Sequence, residues 1–496
     1  MKITAQDLYN YTKCAHRVYL DVHGDRAERS EVSAFVQLLW EMGLQNEREY
    51  MKAMHNHAYV DLQSMDIDAA CKRSTELMAT GTDIIFQGGI KADNWVGRPD
   101  LLVKHTNHSS QLGEFYYEPV DIKAGKGWEG RSRDRRRFKS HYAFQVMFYR
   151  EILKRIQGYV PPTARIINVN KEIEEFDPQE FSLSFQTALR EVEELISGRE
   201  TSEPVLGSGC HQCHWYAKCR RWVEDTRDPS GLYFVGKVKF DLKKVGLVNL
   251  HDIAEMEVED YVSGPKKVAG MGRASLVRMK KRARVVLRGE PAIRPGYEFP
   301  DIHQEVYFDI EDDPTRNLTY LYGLVVRERP GVERFQYFLA RTPDEEEKAA
   351  RHFWQFLAQT RDAVFYVYSS KERTTLKRLM ERYGLDASVF ERYVEQEYDL
   401  YTDLVVKYSD WPTYSYGIKQ IANLVGFKWR DCDPSGANSI AWYNEHLKDP
   451  SREEMLQRIL RYNEDDCRAM IAVKDYFQAH SDKSVNPEGL PSSTAR

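Results

Sequence analysis

Three cysteines within ten residues, in Cys210-His-Gln-Cys213-His-Trp-Tyr-Ala-Lys-Cys219, and a fourth at Cys14 constrain this chain more than any other feature. Thiols packed this tightly suit a metal or redox site in a reducing compartment better than a secreted disulfide framework. Four soft ligands fit zinc or an iron–sulfur cluster, and spacing alone does not separate the two. A frame with one ligand early and three late ties both ends of an N-terminal domain together. His211 and His214 read as surface histidines, and Trp215 and Tyr216 as shields over the site. Cys71, Cys432 and Cys467 read as ordinary buried thiols.

At 496 residues the chain exceeds a single core and predicts two or three domains. Its 42% hydrophobic and 30% charged residues are those of a soluble globular protein. It has no apolar run long enough to span a membrane, and its first residues lack an apolar signal core. A cytoplasmic protein with no membrane partner is the expectation. The net charge of −5 gives no global nucleic-acid signature, but charge is unevenly spread. Arg131 to Lys139 and Lys266 to Arg288 are strongly basic, and both are candidate phosphate-binding patches. The candidate contacts are Arg135, Arg136 and Arg137 in the first, and Gly270, Gly272, Arg273, Lys280 and Lys281 in the second.

Apolar spacing predicts helices over Ala5–Cys14, Ser30–His57 and Met65–Ala79, then strands at Asp83–Gln87, Arg98–Val103 and Glu114–Lys123. A helix over Tyr142–Gln157, a strand over Ala164–Asn168 and a helix over Phe185–Ile196 complete an α/β domain, residues 1–225. Residues 226–295 read as a small helical segment, with Pro291–Pro300 as linker. Residues 296–480 read as a second α/β domain, and 481–496 as a disordered tail.

Within the first domain, Asp100 closes Gly97-Arg-Pro-Asp, and Asp121 and Lys123 project to one side of the next strand. Two carboxylates can hold Mg²⁺ or Mn²⁺ while a lysine steadies phosphate charge. Gln145 and Tyr149 share a helix face one turn apart. These pieces, bracketed by Cys14 and Cys210/Cys213/Cys219, resemble the RecB-like branch of the PD-(D/E)xK nucleases, particularly the CRISPR-associated exonucleases. The resemblance implies a restriction-endonuclease-like fold, metal at Asp100 and Asp121, and a catalytic Lys123. It also implies support from Gln145 and Tyr149, and a 4Fe–4S cluster on the four cysteines. The family's helical histidine is replaced here by Asn46, in Gly43-Leu-Gln-Asn46-Glu47, which predicts a slower site or one kept for binding DNA.

Gly270-Met-Gly272, opening a basic helix, looks like a helix-hairpin-helix DNA binder. Further on, Phe308-Asp309-Ile-Glu311 sets two acids on one face of an apolar strand, and Tyr462 and Asp466 lie one turn apart on a helix. This combination resembles the ribonuclease H-like 3′–5′ exonucleases with a DEDD quartet, tyrosine subtype. The resemblance implies metal binding by Asp309, Glu311 and Asp466, and water orientation by Tyr462. The fourth acid is Glu372, which opens a helix directly after a strand, with Asp399 and Asp403 as competitors. The order as a whole predicts a metal-dependent DNA exonuclease in repair, recombination or defence. A non-cleaving DNA-binding scaffold is the alternative. No Gly-x4-Gly-Lys-Ser/Thr loop is present, so unwinding would fall to a separate helicase or repair partner.

Overall fold

The computed structural model describes residues 1–54, 58–130, 136–328 and 331–485. Arg135, the end of the expected Ser30–His57 helix and the far tail therefore lie outside the described residues. The chain divides into two compact units. The first comprises Met1–Val32, Val36–Val205 and Gly209–Arg220. The second comprises Ser33–Phe35, Leu206–Ser208 and Arg221–Arg496, so residues 226–295 share a unit with the C-terminal α/β region. Among the described residues no helix is long and apolar enough to cross a membrane.

The first unit opens with α1 (Ala5–Lys13), α2 (Ala15–His23), α3 (Ala34–Ala53) and α4 (Ile67–Ala79). Its sheet contains β1 (Val60–Asp61), β2 (Ile84–Phe86), β3 (Leu101–His105), β4 (Tyr116–Ile122), β5 (Ala164–Ile167) and β6 (Ile173–Phe176). They lie side by side in the order β6-β5-β4-β3-β2-β1. β2, β3 and β4 form an antiparallel meander, and β5 runs parallel to β4. That parallel pairing requires a crossover, which α5 (Ser140–Gln157) supplies. α5 buries Phe144, Met147, Phe148, Ile152 and Leu153, and β4 is buried at every position, as befits a central strand. α6 (Ser182–Ser197) adds Phe185, Val192 and Ile196 to the same core.

The second unit begins with short helices around a core of Leu232, Leu242, Leu250, Ile253 and Leu276, to which α7 (Arg273–Arg288) contributes one face. The Pro291–Pro300 stretch is not a free linker. Ala292 and Ile293 pair with Asp410 and Ser409, and the buried Tyr297 donates its hydroxyl to the Phe477 carbonyl at 2.8 Å. Its aromatic residues gain more by packing on the domain than by solvation.

The main sheet joins β7 (Gln304–Asp313), β8 (Leu318–Glu328), β9 (Val332–Leu339), β10 (Ala363–Val367) and β11 (Glu397–Asp399), in the order β9-β8-β7-β10-β11. The first three strands are antiparallel, and β10 and β11 run parallel to β7 and to one another. Around them lie α8 (Glu346–Gln359), α9 (Lys371–Tyr383), α10 (Ala387–Gln396), α11 (Ile418–Leu424), α12 (Gly436–Lys448) and α13 (Glu453–Val485). Alternation along β7 sends Val306, Phe308 and Ile310 into one apolar core. It leaves Tyr307, Asp309 and Glu311 on the opposite face. Helix α13 continues to Val485, several residues into the segment expected to be a tail.

Candidate active sites

In the first unit the meander brings the expected residues together. Asp100 follows the turn after Gly97, and its Oδ2 accepts from the Ile122 N–H at 2.7 Å. Lys123 extends the β4 ladder by donating its N–H to the Ile167 carbonyl at 2.7 Å. Its ammonium reaches Asp121 Oδ2 at 2.7 Å and Gln145 Oε1 at 2.9 Å. Burial opposes the Lys123 charge, but Asp121 and Asp100 outweigh it and raise its pKa. Asp100 is pushed well above the usual carboxylate range by burial and then by Asp121 and Glu47. Tyr149 packs beneath Gly97, where an added Cβ would lie 2.6 Å from its ring, and its hydroxyl donates to the Arg98 carbonyl at 3.4 Å.

Two members of this site were not assigned from sequence. Glu47, on α3, is raised by burial and by Asp121, which marks it as a third carboxylate of the cluster. Gln87 bridges the two elements, donating to Asp100 at 2.7 Å and to Glu47 at 3.3 Å from a backbone held at φ 53°. Such a left-handed conformation is uncommon for a non-glycine residue and is held here by the acids it serves. Asn46 is buried, and its amide donates to the Lys123 carbonyl at 3.2 Å. It therefore positions the lysine-bearing strand.

Cys14 sits at the junction of α1 and α2, Cys213 donates its N–H to the Cys210 carbonyl at 2.9 Å, and Cys219 lies on the helix Tyr216–Asp225. All four are half-buried. Burial and the neighbouring Cys213, Cys14 and Cys210 push the Cys219 thiol up to about 12. Their sulfurs nevertheless do not gather within the 4.8 Å that unites the acidic group described below. Two thiolates on one tetrahedral zinc would stand about 3.8 Å apart, so a compact zinc site is not preformed. Two flanking expectations change. His214 is buried against Asp21 at 2.9 Å instead of lying on the surface, and Cys432 is exposed. Trp215 is fully buried, its indole N–H also on Asp21 at 2.8 Å.

The basic segments are partly spent on internal structure. Arg273 pairs with Glu259 at 2.6 Å, and Lys280 donates to the Met256 carbonyl at 2.7 Å. The guanidiniums of Arg278, Arg282 and Arg294 converge on the buried Asp410. Gly270 takes φ +71° ahead of Gly272, which caps α7 with no side-chain hydrogen bond. Lys281, Arg136 and Arg137 are exposed.

The second unit holds the densest acidic cluster. Ligand oxygens of Asp309, Glu311 and Asp466 all lie within 4.8 Å of one another. Oxygens on opposite corners of an octahedral magnesium are about 4.2 Å apart, so small side-chain adjustments would fit the set to a cation. Burial and then Asp466 push Asp309 up to about 7. Glu311 is raised well above its ordinary range by burial, Asp309 and Asp466. Among the described residues neither Asp309 nor Glu311 forms an ion pair.

Neighbouring side chains fix this cluster. Asn463 Nδ2 donates to Asp309 Oδ2 at 2.8 Å, and Trp429 Nε1 donates to Asp466 Oδ1 at 2.7 Å. Ser439, whose hydroxyl hydrogen-bonds that of Tyr320 at 2.8 Å, also acts to lower the Glu311 pKa. Lys419, on α11, donates to the Tyr462 hydroxyl at 2.8 Å and stands 3.7 Å from Asp466. Lys371 pairs with Asp312 at 2.7 Å. Glu372 is buried, and it is pushed up to about 8 by burial and by Asp309, so it borders the cluster without joining the tight triad. Its competitors have other surroundings: Asp399 caps the turn Leu400–Val406 through the N–H groups of Tyr401 and Thr402, and Asp403 is exposed.

Comparison with known proteins bears on the same region. Residues 306–478 match the RNase_H superfamily model, and that span contains most of β7, all of β8 to β11, the acidic triad, Tyr462 and Lys419. No curated protein sequence matches the chain. Among solved structures, the family B DNA polymerase from the hyperthermophilic archaeon Pyrobaculum calidifontis is similar at 21% identity and a TM-score of 0.28. That match covers 37% of this chain and 25% of the polymerase, so the chain spans about a quarter of that protein's length. The C-terminal region of the chain is thus a ribonuclease H-like α/β domain carrying a candidate metal-binding triad.

Proposed function

We propose that the second unit is a metal-dependent nuclease that removes nucleotides from DNA 3′ ends. The observation that carries this reading is the convergence of the Asp309, Glu311 and Asp466 carboxylates, where repulsion from Asp466 raises the pKa of both Asp309 and Glu311. Among the described residues, only Asp466 of the three has a cation within ion-pair distance, Lys419 at 3.7 Å. A bound Mg²⁺ or Mn²⁺ would relieve that repulsion and offset charge on the entering and leaving oxygens of a phosphodiester. The protein's part is positioning. Asn463 and Trp429 hold two of the carboxylates, and Lys419 donates to Tyr462 Oη, leaving the tyrosine's own proton to orient a water. Lys371 and Lys419 bring positive charge to the rim, where a phosphate would lie.

We further propose that the first unit is a RecB-like nuclease. The helix–meander–helix–strand order and the assembly of Asp100, Asp121, Glu47 and Lys123 support this reading. The four half-buried cysteines would hold a 4Fe–4S cluster, whose core is wider than a single zinc ion. The test is Mg²⁺- or Mn²⁺-dependent degradation of single-stranded DNA labelled at either end. Asp309→Asn should abolish release from one end and Asp121→Asn from the other. A wild-type protein that binds DNA and cuts it with neither metal would overturn the proposal.

A further inference from the structure

Beside the acids of the first unit lie two cations, Lys13 and Lys139, that the hydrolytic reading does not use. Lys13 Nζ meets His141 Nδ1 at 3.2 Å and lies 5.5 Å from the Tyr9 ring centroid. Lys139 Nζ and Lys123 Nζ each lie 5.3 Å from the centroid of Tyr142. Burial and these three lysines push His141 down to about 3, so its ring is neutral and accepts from Lys13. Among the described residues neither Lys13 nor Lys139 makes an ion pair with a carboxylate.

Three further features suit the place to an anion. Lys139 is the N-cap of the 18-residue α5, and it offers no side-chain cap to the first N–H groups of that helix. The backbone runs close by at Gly125, where an added Cβ would come within 3.1 Å of the Tyr142 hydroxyl and 3.7 Å of Lys139 Nζ. The third lysine, Lys123, is shared with the acidic cluster through its 2.7 Å contact with Asp121. Asp121 offsets Lys123 and the field of Glu129 reaches Lys13, but like charges held this close still cost the fold stability, and a dianion would reverse that cost.

We infer that Lys13, Lys139 and the open start of α5 form a subsite for the terminal phosphomonoester of a DNA strand, next to the Asp100–Asp121–Lys123 site. The inference rests on the nuclease reading of this unit and specifies how a strand end would be seated there. A phosphomonoester carries nearly two negative charges at neutral pH, whereas an internal phosphodiester carries one. The monoester therefore gains more from this cluster.

The test measures binding, without cutting, of internally labelled single-stranded oligonucleotides in calcium buffer, by fluorescence anisotropy. The strands bear a 5′-phosphate, a 3′-phosphate or hydroxyls at both ends. Wild type should prefer one phosphorylated strand by roughly tenfold, as expected for charge-assisted hydrogen bonds. The preferred strand identifies the end. Lys139→Gln and Lys13→Gln should erase the preference, and Lys139→Arg should restore most of it, which separates lost contacts from misfolding. Equal affinity for all three strands, or a preference that survives Lys139→Gln, overturns the inference. If cleavage depends on Asp121 but ignores end phosphates, the subsite fails and the nuclease reading stands. A phosphate preference without Asp121-dependent cleavage keeps the subsite and removes the nuclease reading.

Discussion

Replacing Asp309 by asparagine should stabilise the metal-free protein while destroying activity at the C-terminal site. In the fold this carboxyl is pushed from 3.8 up to about 7 by burial and Asp466. Holding it ionised at pH 8 therefore costs the native state at most about 4 kcal/mol. Asparagine keeps an oxygen to accept from Asn463 and removes the charge. Relaxation of the triad should reduce the realised gain to about 2 kcal/mol, or about 4–8 °C in the midpoint of a unit this size. Because the folded pKa is raised, the penalty is absent below about pH 4, grows as pH rises towards 7 and is complete above it. The gain from Asp309→Asn should therefore be largest at pH 8 and nearly gone at pH 4.5. Thermal unfolding in EDTA across that range measures it. Saturating Mn²⁺ should reverse the order, raising the wild-type stability by about 2.7 kcal/mol at one hundred times Kd and leaving the variant's midpoint unmoved. An Asp309→Asn protein that melts lower than wild type in EDTA at pH 8 would refute the reasoning, as would a wild-type midpoint indifferent to Mn²⁺.

Other side chains give sharper single-residue outcomes. Lys419→Met should lower exonuclease turnover about 10–100-fold, while retaining the Mn²⁺-induced thermal shift that depends on the carboxylates. Gly323→Ala places a Cβ 1.5 Å from Asn463 Oδ1, so the variant should lose about 2 kcal/mol or more by thermal unfolding and bind Mn²⁺ more weakly. Cys213→Ser should reduce the iron content of anaerobically purified protein and bleach its absorbance, while stoichiometric zinc in the wild type would displace the iron–sulfur assignment.

The parts of both sites that were legible in the sequence are those written in local periodicity. Asp309 and Glu311 share a strand face, Tyr462 and Asp466 share a helix face, and Asp121 and Lys123 share a strand end. What escaped notice comes from elements brought in by tertiary packing. Lys419 and Trp429 reach Tyr462 and Asp466 from a separate helix and the turn after it, and no spacing in the sequence links them. Glu47 stood in plain view beside Asn46 but signalled nothing until α3 was laid against the meander. Gly323 carried a usable hint: a glycine inside an otherwise apolar strand marks a close approach. In the basic helix, composition misled in part, because Arg278, Arg282 and Lys280 are spent on Asp410 and backbone carbonyls. Net charge does not reveal which cations are already engaged.

The two acidic clusters also differ in how much charge the protein itself cancels, and this separates their metal requirements. In the first, Lys123 contacts Asp121 directly at 2.7 Å, and Gln87 and the Ile122 N–H satisfy Asp100. In the second, the nearest ammonium to the triad is Lys419, 3.7 Å from Asp466, while Lys371 is engaged by Asp312 at 2.7 Å. A cation entering the second site relieves repulsion that Lys371 and Lys419 offset only in part, whereas one entering the first competes with a lysine already in direct contact. The second site should therefore bind Mn²⁺ more tightly, by about tenfold for each 1.4 kcal/mol of uncancelled repulsion. Calorimetric titration of Mn²⁺ into wild type, Asp309→Asn and Asp121→Asn separates the two. The stronger phase should vanish with Asp309→Asn and persist with Asp121→Asn, and the opposite assignment would show that the lysine, and not the geometry of the triad, promotes cation binding.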